Sequence, residues 1–194
     1  QLWAESHVGT VATTPAEAAR GCDIVFACVG ADDDLRSVVY GDNGAFAGMD
    51  KGAIFVDHTT ASADVAREID AAATQQGLQF LDAPVSGGPE AAGTGTLAIM
   101  AGGSDADLAI GEPVLRELAG VLTVMGPVGS GQVTKMVNQV LVLNTYVLLA
   151  EALALAEAGG VDAAKMPEAL GTGHAGSNLL KAVFPRMSDR DFAP

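Results

Sequence analysis

Positive charge is scarce in this sequence. Ten lysines and arginines face 24 aspartates and glutamates, a formal net charge of −14 over 194 residues. Such a balance offers no electrostatic footprint for DNA, RNA or an anionic lipid surface. An anionic cofactor is still admissible, because it needs only local positive charge or a helix N-terminus. Cysteine is scarcer still. Cys22 and Cys28 are too few for a disulfide framework and stand in no metal-ligand spacing, so no metal site is expected. Cys28 lies inside an apolar run and reads as a core residue. A reducing, cytoplasmic compartment is the expectation, and no signal peptide is visible. Of the three histidines, His7 reads as a surface residue and His174 as a structural residue of a glycine-rich segment, while His58 carries no assignment. Residues 136–158 are apolar but are interrupted by Asn138, Gln139, Asn144, Glu151 and Glu157, which would be costly in hydrocarbon. That segment is expected to be a long helix buried within or between subunits, not a membrane span.

What is present is a two-part pattern. Apolar runs at 23–29, 53–57, 79–85, 97–101 and 121–125 read as strands, with a helix expected over 1–6 and a short strand near 10–12. Helical patterns lie between them at 33–40, 62–76 and 105–118, with Val65, Ile69 and Ala72 spaced along one face of the second. Strand–helix–strand alternation implies parallel pairing with right-handed crossovers. After Gly126 no strand pattern returns. A helix opens at Gly129-Ser130-Gly131 and is expected to run to Ala158, Asp162 reads as the next N-cap with Pro167 in the following first turn, and Ser177 reads as another cap. The expected fold is therefore α/β, a partial doubly wound parallel sheet over residues 1–128 followed by an all-α domain over 129–194.

Three stretches carry chemistry. Asp57-His58-Thr59-Thr60 ends a strand, where ligands bind in open parallel sheets and a hydroxyl can reach a cofactor. Capping of the next helix by Thr59 or Thr60 is the plainer alternative. Asp82-Ala83-Pro84-Val85-Ser86-Gly87-Gly88 ends another strand in a turn whose backbone N–H groups, with the serine hydroxyl, can cradle a carboxylate. An ordinary glycine turn is the competing reading. Gly129-Ser130-Gly131-Gln132 then leads to Lys135 and Asn138, three positions apart and so on one helix face. A lysine partly desolvated there loses basicity and can exchange a proton with a substrate oxygen. A solvated lysine at a helix end is the alternative.

In this order and spacing the three stretches resemble the β-hydroxyacid dehydrogenase family, which includes 3-hydroxyisobutyrate dehydrogenase and tartronate semialdehyde reductase and is related to 6-phosphogluconate dehydrogenase. The resemblance covers nearly the whole sequence. It implies a Rossmann-like fold, NAD or NADP as cofactor, and hydride transfer to or from a small 3-hydroxy acid. It also implies roles. Lys135 falls on the catalytic lysine. Ser86, Gly87 and Gly88 fall on the substrate-carboxylate turn, and Asn138 on a substrate-binding asparagine. Val29, Gly30 and Thr60 fall on cofactor contacts. A small carboxylate-bearing substrate and a homo-oligomer are the partners implied.

The resemblance has gaps. No G-x-G-x-x-G stands between a strand and a helix in the α/β half, so the first βαβ unit, and the family's last helices, are expected to lie outside this sequence. Thr59-Thr60 stands where Ser-Thr is common, and Ala91 where glycine is common. Two rivals share the architecture: imine reductases, which Lys135 argues against, and a non-catalytic module of the same fold, which the pair Lys135 and Asn138 argues against.

Overall fold

The computed structural model describes Ala4, Glu5 and residues 7–193, which form two compact units, Gln1–Met136 and Val137–Pro194. The helix expected over residues 1–6 lies mostly outside the described residues. The strand expected near 10–12 is irregular backbone instead, and no strand among the described residues pairs with it.

The first unit runs α1 (Pro15–Ala19), β1 (Ile24–Ala27), α2 (Asp32–Val39), α3 (Ala45–Gly48), β2 (Ile54–Asp57), α4 (Ala63–Gln76), β3 (Gln79–Asp82), β4 (Val85–Ser86), α5 (Gly88–Thr94), β5 (Leu97–Gly102), α6 (Asp105–Leu118) and β6 (Ala119–Gly126). Strands β1, β2 and β3 pair in parallel, with Ala27 opposite Asp57 and Asp57 opposite Asp82. Strands β5 and β6 are also parallel to one another. Strand β2, between β1 and β3, is buried on both faces. Phe55 packs with Leu35, Val39, Phe46, Val65, Ile69 and Phe80 on one side. Ile54 and Val56 pack with Leu81, Ile99, Leu108 and Leu115 on the other. This is the alternation that two helical layers over one sheet require.

The sheet is not parallel throughout. β5 runs antiparallel to both β3 and β4, with Asp82 opposite Gly102, Val85 opposite Ile99 and Ser86 opposite Ala98. These pairs keep one register, so β3 and β4 are two ends of a single segment that returns as β5. Pro84, lacking an N–H, interrupts the segment but still accepts from Met100 N–H (3.1 Å). The connection from Ser86 to Leu97 holds only the seven-residue α5, too short for a parallel crossover, which takes a dozen residues or more.

Helix α7 (Ser130–Ala158) begins in the first unit and continues into the second. Its start is fixed by a buried carboxylate. Asp82 accepts from Gly129 N–H (2.7 Å) and Gln132 N–H (2.9 Å), doing from a strand end what an N-cap side chain does locally. The approach is so close that a Cβ at Gly131 would overlap the Met100 carbonyl and the Asp82 backbone and carboxylate. Beside it, Asp57 is fully buried and accepts from Thr59 N–H (2.9 Å). Burial pushes its carboxyl up to about 6 against the lowering effect of the Thr59 hydrogen bonds.

In the second unit, Leu149 and Leu153 of α7 pack with Leu180 and Phe184 of α9 (Asn178–Ser188). Asp162 caps a 3₁₀ turn (Ala163–Lys165) through Ala164 N–H (3.2 Å), followed by α8 (Met166–Leu170). Ser177 caps α9 through Leu180 N–H (3.0 Å). Gly171, Gly173 and Gly176 do have the G-x-G-x-x-G spacing, but they connect α8 to α9 with no strand before them, so they form no dinucleotide turn.

Two stability measurements probe this arrangement. Gly131→Ala should destabilise by about 1–3 kcal/mol, because backbone and a buried carboxylate cannot yield to a methyl group. Gly93→Ala, where a Cβ meets nothing, should be neutral or stabilise by up to about 1 kcal/mol. Urea denaturation of the two variants side by side checks the contrast, and equal effects would contradict it. For Asp57 the folded-state carboxyl is raised, so the stability tied to its neutral form is present at low pH and lost as pH rises through about 6. The stability of Asp57→Asn relative to the parent should therefore improve by on the order of 1–3 kcal/mol between pH 4 and pH 7. A difference that stays flat with pH would show that burial imposes no such penalty.

Candidate active site

Lys135 lies in the second turn of α7 and is 8% exposed. Its Nζ donates to the Val85 carbonyl oxygen at 2.8 Å. Among the described residues no carboxylate pairs with it, and burial holds its ammonium below the ordinary lysine range. The lysine is thus charged at a cost and held by one neutral acceptor.

Val85 immediately precedes Ser86, so the same hydrogen bond brings Lys135 next to the Ser86-Gly87-Gly88 turn. Ser86 is half-buried at the end of β4, and Gly87 and Gly88 are exposed. Both glycines have positive φ, 130° and 70°, a region that favours residues without a side chain. At Gly87 a Cβ would also crowd Ala91. The turn therefore presents bare main chain beside a serine hydroxyl. Asn138 lies three residues beyond Lys135 on the same helix, in the second unit, and its Nδ2 donates to Gln139 Oε1 (3.0 Å).

The cofactor candidates gather at the C-terminal ends of β1 and β2. Val29 N–H donates to Thr59 Oγ1 (3.0 Å), and Ser62 donates through N–H (2.8 Å) and Oγ (2.6 Å) to the Asp32 carboxylate. These bonds tie the loop after β1 to the loop after β2 and leave Gly30 and Thr60 exposed between them. Ser62, not Thr59 or Thr60, caps α4, accepting from Val65 N–H (3.1 Å). Thr59 is instead fully buried, spent on the neighbouring loop. Cys28, expected in the core, is exposed at the end of β1 and only brushes the His58 carbonyl (3.9 Å). His58 stacks on Phe26 and points Nδ1 at the Ala83 carbonyl (2.6 Å), which leaves Nε2 buried with no hydrogen-bond partner.

This edge of the sheet fits part of a dinucleotide. It offers a hydroxyl at Thr60 and exposed main chain at Gly30, against which the Asp34 carboxylate lies, together with the acids Asp32 and Asp33. The nearby Arg36 is engaged by Asp33 and Glu68. Such a surface suits an uncharged ribose or nicotinamide, not a pyrophosphate.

Three residues were not singled out from sequence: Asp57, Asp82 and Gln132. All are fully buried. The signal that could have found the two aspartates is an acid closing each of two apolar strands, since a carboxylate buried there must find donors. A cavity of about 620 Å³ lies elsewhere, among Leu148, Leu149, Leu155, Met166, Leu180 and Phe184 of the second unit, and none of the candidate site residues lines it.

Residues 1–126 match the NAD binding domain of 6-phosphogluconate dehydrogenase, and residues 129–194 match the NAD-binding domain of NADP-dependent 3-hydroxyisobutyrate dehydrogenase. An uncharacterised oxidoreductase of Shewanella frigidimarina is 47% identical over 98% of this chain and 67% of its own length. Among solved structures, 3-hydroxyisobutyrate dehydrogenase from Salmonella typhimurium superposes with a TM-score of 0.84 at 30% identity, covering 93% of this chain and 63% of that one. The Mycobacterium tuberculosis 3-hydroxyisobutyrate dehydrogenase, solved with L-serine, gives 0.80 at 30% identity over 92% and 63%. The chain thus spans about two thirds of the length of these proteins. On these matches and on the order of its motifs, the chain belongs to the β-hydroxyacid dehydrogenase family.

Proposed function

We propose that the full-length protein containing this chain transfers a hydride between NAD or NADP and a small 3-hydroxy acid or its semialdehyde. One observation carries the reading: a buried lysine with no carboxylate partner among the described residues, hydrogen-bonded to the residue before an open Ser-Gly-Gly turn. The nicotinamide, when bound, supplies or accepts the hydride. Ser86 Oγ and the main chain at Gly87 and Gly88 anchor the substrate carboxylate. That carboxylate also supplies the negative charge that Lys135 otherwise lacks. In reduction Lys135 gives a proton from Nζ to the oxygen of the former carbonyl as it becomes an alkoxide. In oxidation it takes the hydroxyl proton. Asn138 orients the substrate oxygen, and Val29, Gly30 and Thr60 line the cofactor side. The serine in the Mycobacterium tuberculosis structure supports a small 3-hydroxy acid as the substrate class.

A homo-oligomer is part of the same proposal. By length and apolarity alone α7 could cross a membrane. Its exposed Val137, Val140, Leu141, Leu143, Val147, Leu148 and Leu155 make an apolar surface that a second copy would cover.

Lys135→Ala should lower kcat by about 10²–10⁴-fold and leave cofactor affinity near the parent value. Oxidation needs neutral Lys135, so its rate should rise with pH through a value below the ordinary lysine range and lose that limb in the variant. Ser86→Ala should instead raise KM about tenfold or more, because an anchor to a charged group acts in ground and transition states alike. Steady-state kinetics across pH decide both, and a near-normal kcat with an unchanged profile in Lys135→Ala would refute the acid–base role. Light scattering of the full-length protein at micromolar concentration should show a dimer or larger assembly; a uniform monomer would rule the association out.

A further inference from the structure

Gln132 sits three residues before Lys135 on α7 and is fully buried. Its side chain reaches across more than 70 residues of sequence to one short piece of main chain. Oε1 accepts from Ala61 N–H (3.0 Å), and Nε2 donates to the Thr59 carbonyl (2.7 Å). These two groups flank Thr60. The amide therefore grips the backbone on both sides of that residue, as a neighbouring strand would, while Thr60 itself stays exposed. From the other side Gln132 is held by two carboxylates. Its own N–H donates to Asp82 (2.9 Å), and Nε2 lies 3.5 Å from Asp57 Oδ2.

A buried amide is costly unless both its acceptor and its donors are satisfied, and here they are. An apolar side chain of the same volume would fill the space, but it could not fix the distance between the Thr59–Ala61 loop and the first turn of α7. That distance matters under the function proposed above, on which this inference rests. The reacting carbon must meet the cofactor, lined by Thr60, while its oxygen meets Lys135 Nζ, and the two must be satisfied together. We propose that Gln132 is a positioning residue that couples the Thr59–Ala61 loop to Lys135, so that seating the cofactor orders the helix turn carrying the proton donor.

The test uses the full-length protein and two substitutions. Gln132→Met keeps the volume and removes all three side-chain hydrogen bonds. Gln132→Glu keeps the acceptor for Ala61 N–H and replaces the donor to Thr59 by a second acceptor. Circular dichroism and thermal unfolding establish that each variant folds. Hydrogen exchange is then measured with and without the reduced cofactor, NADH or NADPH, that the parent binds. In the parent, cofactor should slow exchange both at 59–61 and at 129–135; no slowing at 129–135 overturns the proposal whatever the variants do. In the variants, 59–61 should still be protected while the protection of 129–135 is lost. Their kcat should fall at least tenfold, KM for the acid should stay within about threefold, and the pH limb that Lys135→Ala abolishes should move by half a unit or more. Folded variants with parental kcat and with protection still reaching 129–135 overturn the proposal. Lys135→Ala run alongside separates the two readings. If it keeps its kcat, the acid–base role falls, and the exchange pattern still decides the role of Gln132.

Discussion

The Asp82 carboxylate, buried where β3 ends, accepts the N–H groups of Gly129 and Gln132 and so decides where α7 begins. Much else depends on that choice. The carboxylate replaces the water that a helix N-terminus would otherwise need, and its charge is stabilised by the helix end. Desolvation raises its proton affinity, and the Gly129, Gln132 and Gly131 N–H groups pull it back. Because α7 starts there, Lys135 arrives beside Val85 and Gln132 beside Ala61. The same closeness accounts for glycine at 131 and at 102, where a Cβ would run into Asp82.

Neighbouring positions share the burden. Asp57 and Asp82 lie opposite one another on adjacent parallel strands, two acids side by side inside the sheet. Burial raises both carboxyls, and the neighbouring Asp82 charge adds to the rise of Asp57, which has fewer main-chain donors and reaches about 6. The cluster thus resembles a polar core within an apolar one. Its members are satisfied by backbone, so its geometry is set by where the backbone runs.

Much of the fold was legible because periodicity and caps agreed. The 105–118 helix and the 130–158 helix fall where the sequence pattern puts them, and Asp162 and Ser177 cap as expected, whereas Ser62, expected as the first residue of its helix, is the cap in place of Thr59 or Thr60. The short helices α1, α3 and α5 were not legible, since four to seven residues give too little periodicity. The antiparallel return of β5 was hidden because alternation of strand and helix looks the same whether the helix spans a crossover or closes a hairpin. Cys28 was misplaced because an apolar run does not say which of its residues face outward at an outer strand. At the site, Lys135 and Ser86 could be named from their motifs, and the structure joins them through Val85. Gln132 could not be read the same way, because its partners are main-chain groups 70 positions away and carry no side-chain signature.

The unbroken register that joins Asp82, Val85 and Ser86 to β5 limits how this segment can vary in length. Side chains alternate faces along a strand, so one residue inserted between Asp82 and Ser86 would turn the serine to the opposite side. It would also shift the carbonyl that receives Lys135. Residues 89–96 take no part in that pairing, and α5 has no fully buried residue, only the half-buried Ala91 against the sheet. Changes in length are therefore open in the α5 bridge, where additions and losses leave the pairing of β4 with β5 intact, while the five residues from Asp82 to Ser86 are held to a fixed count.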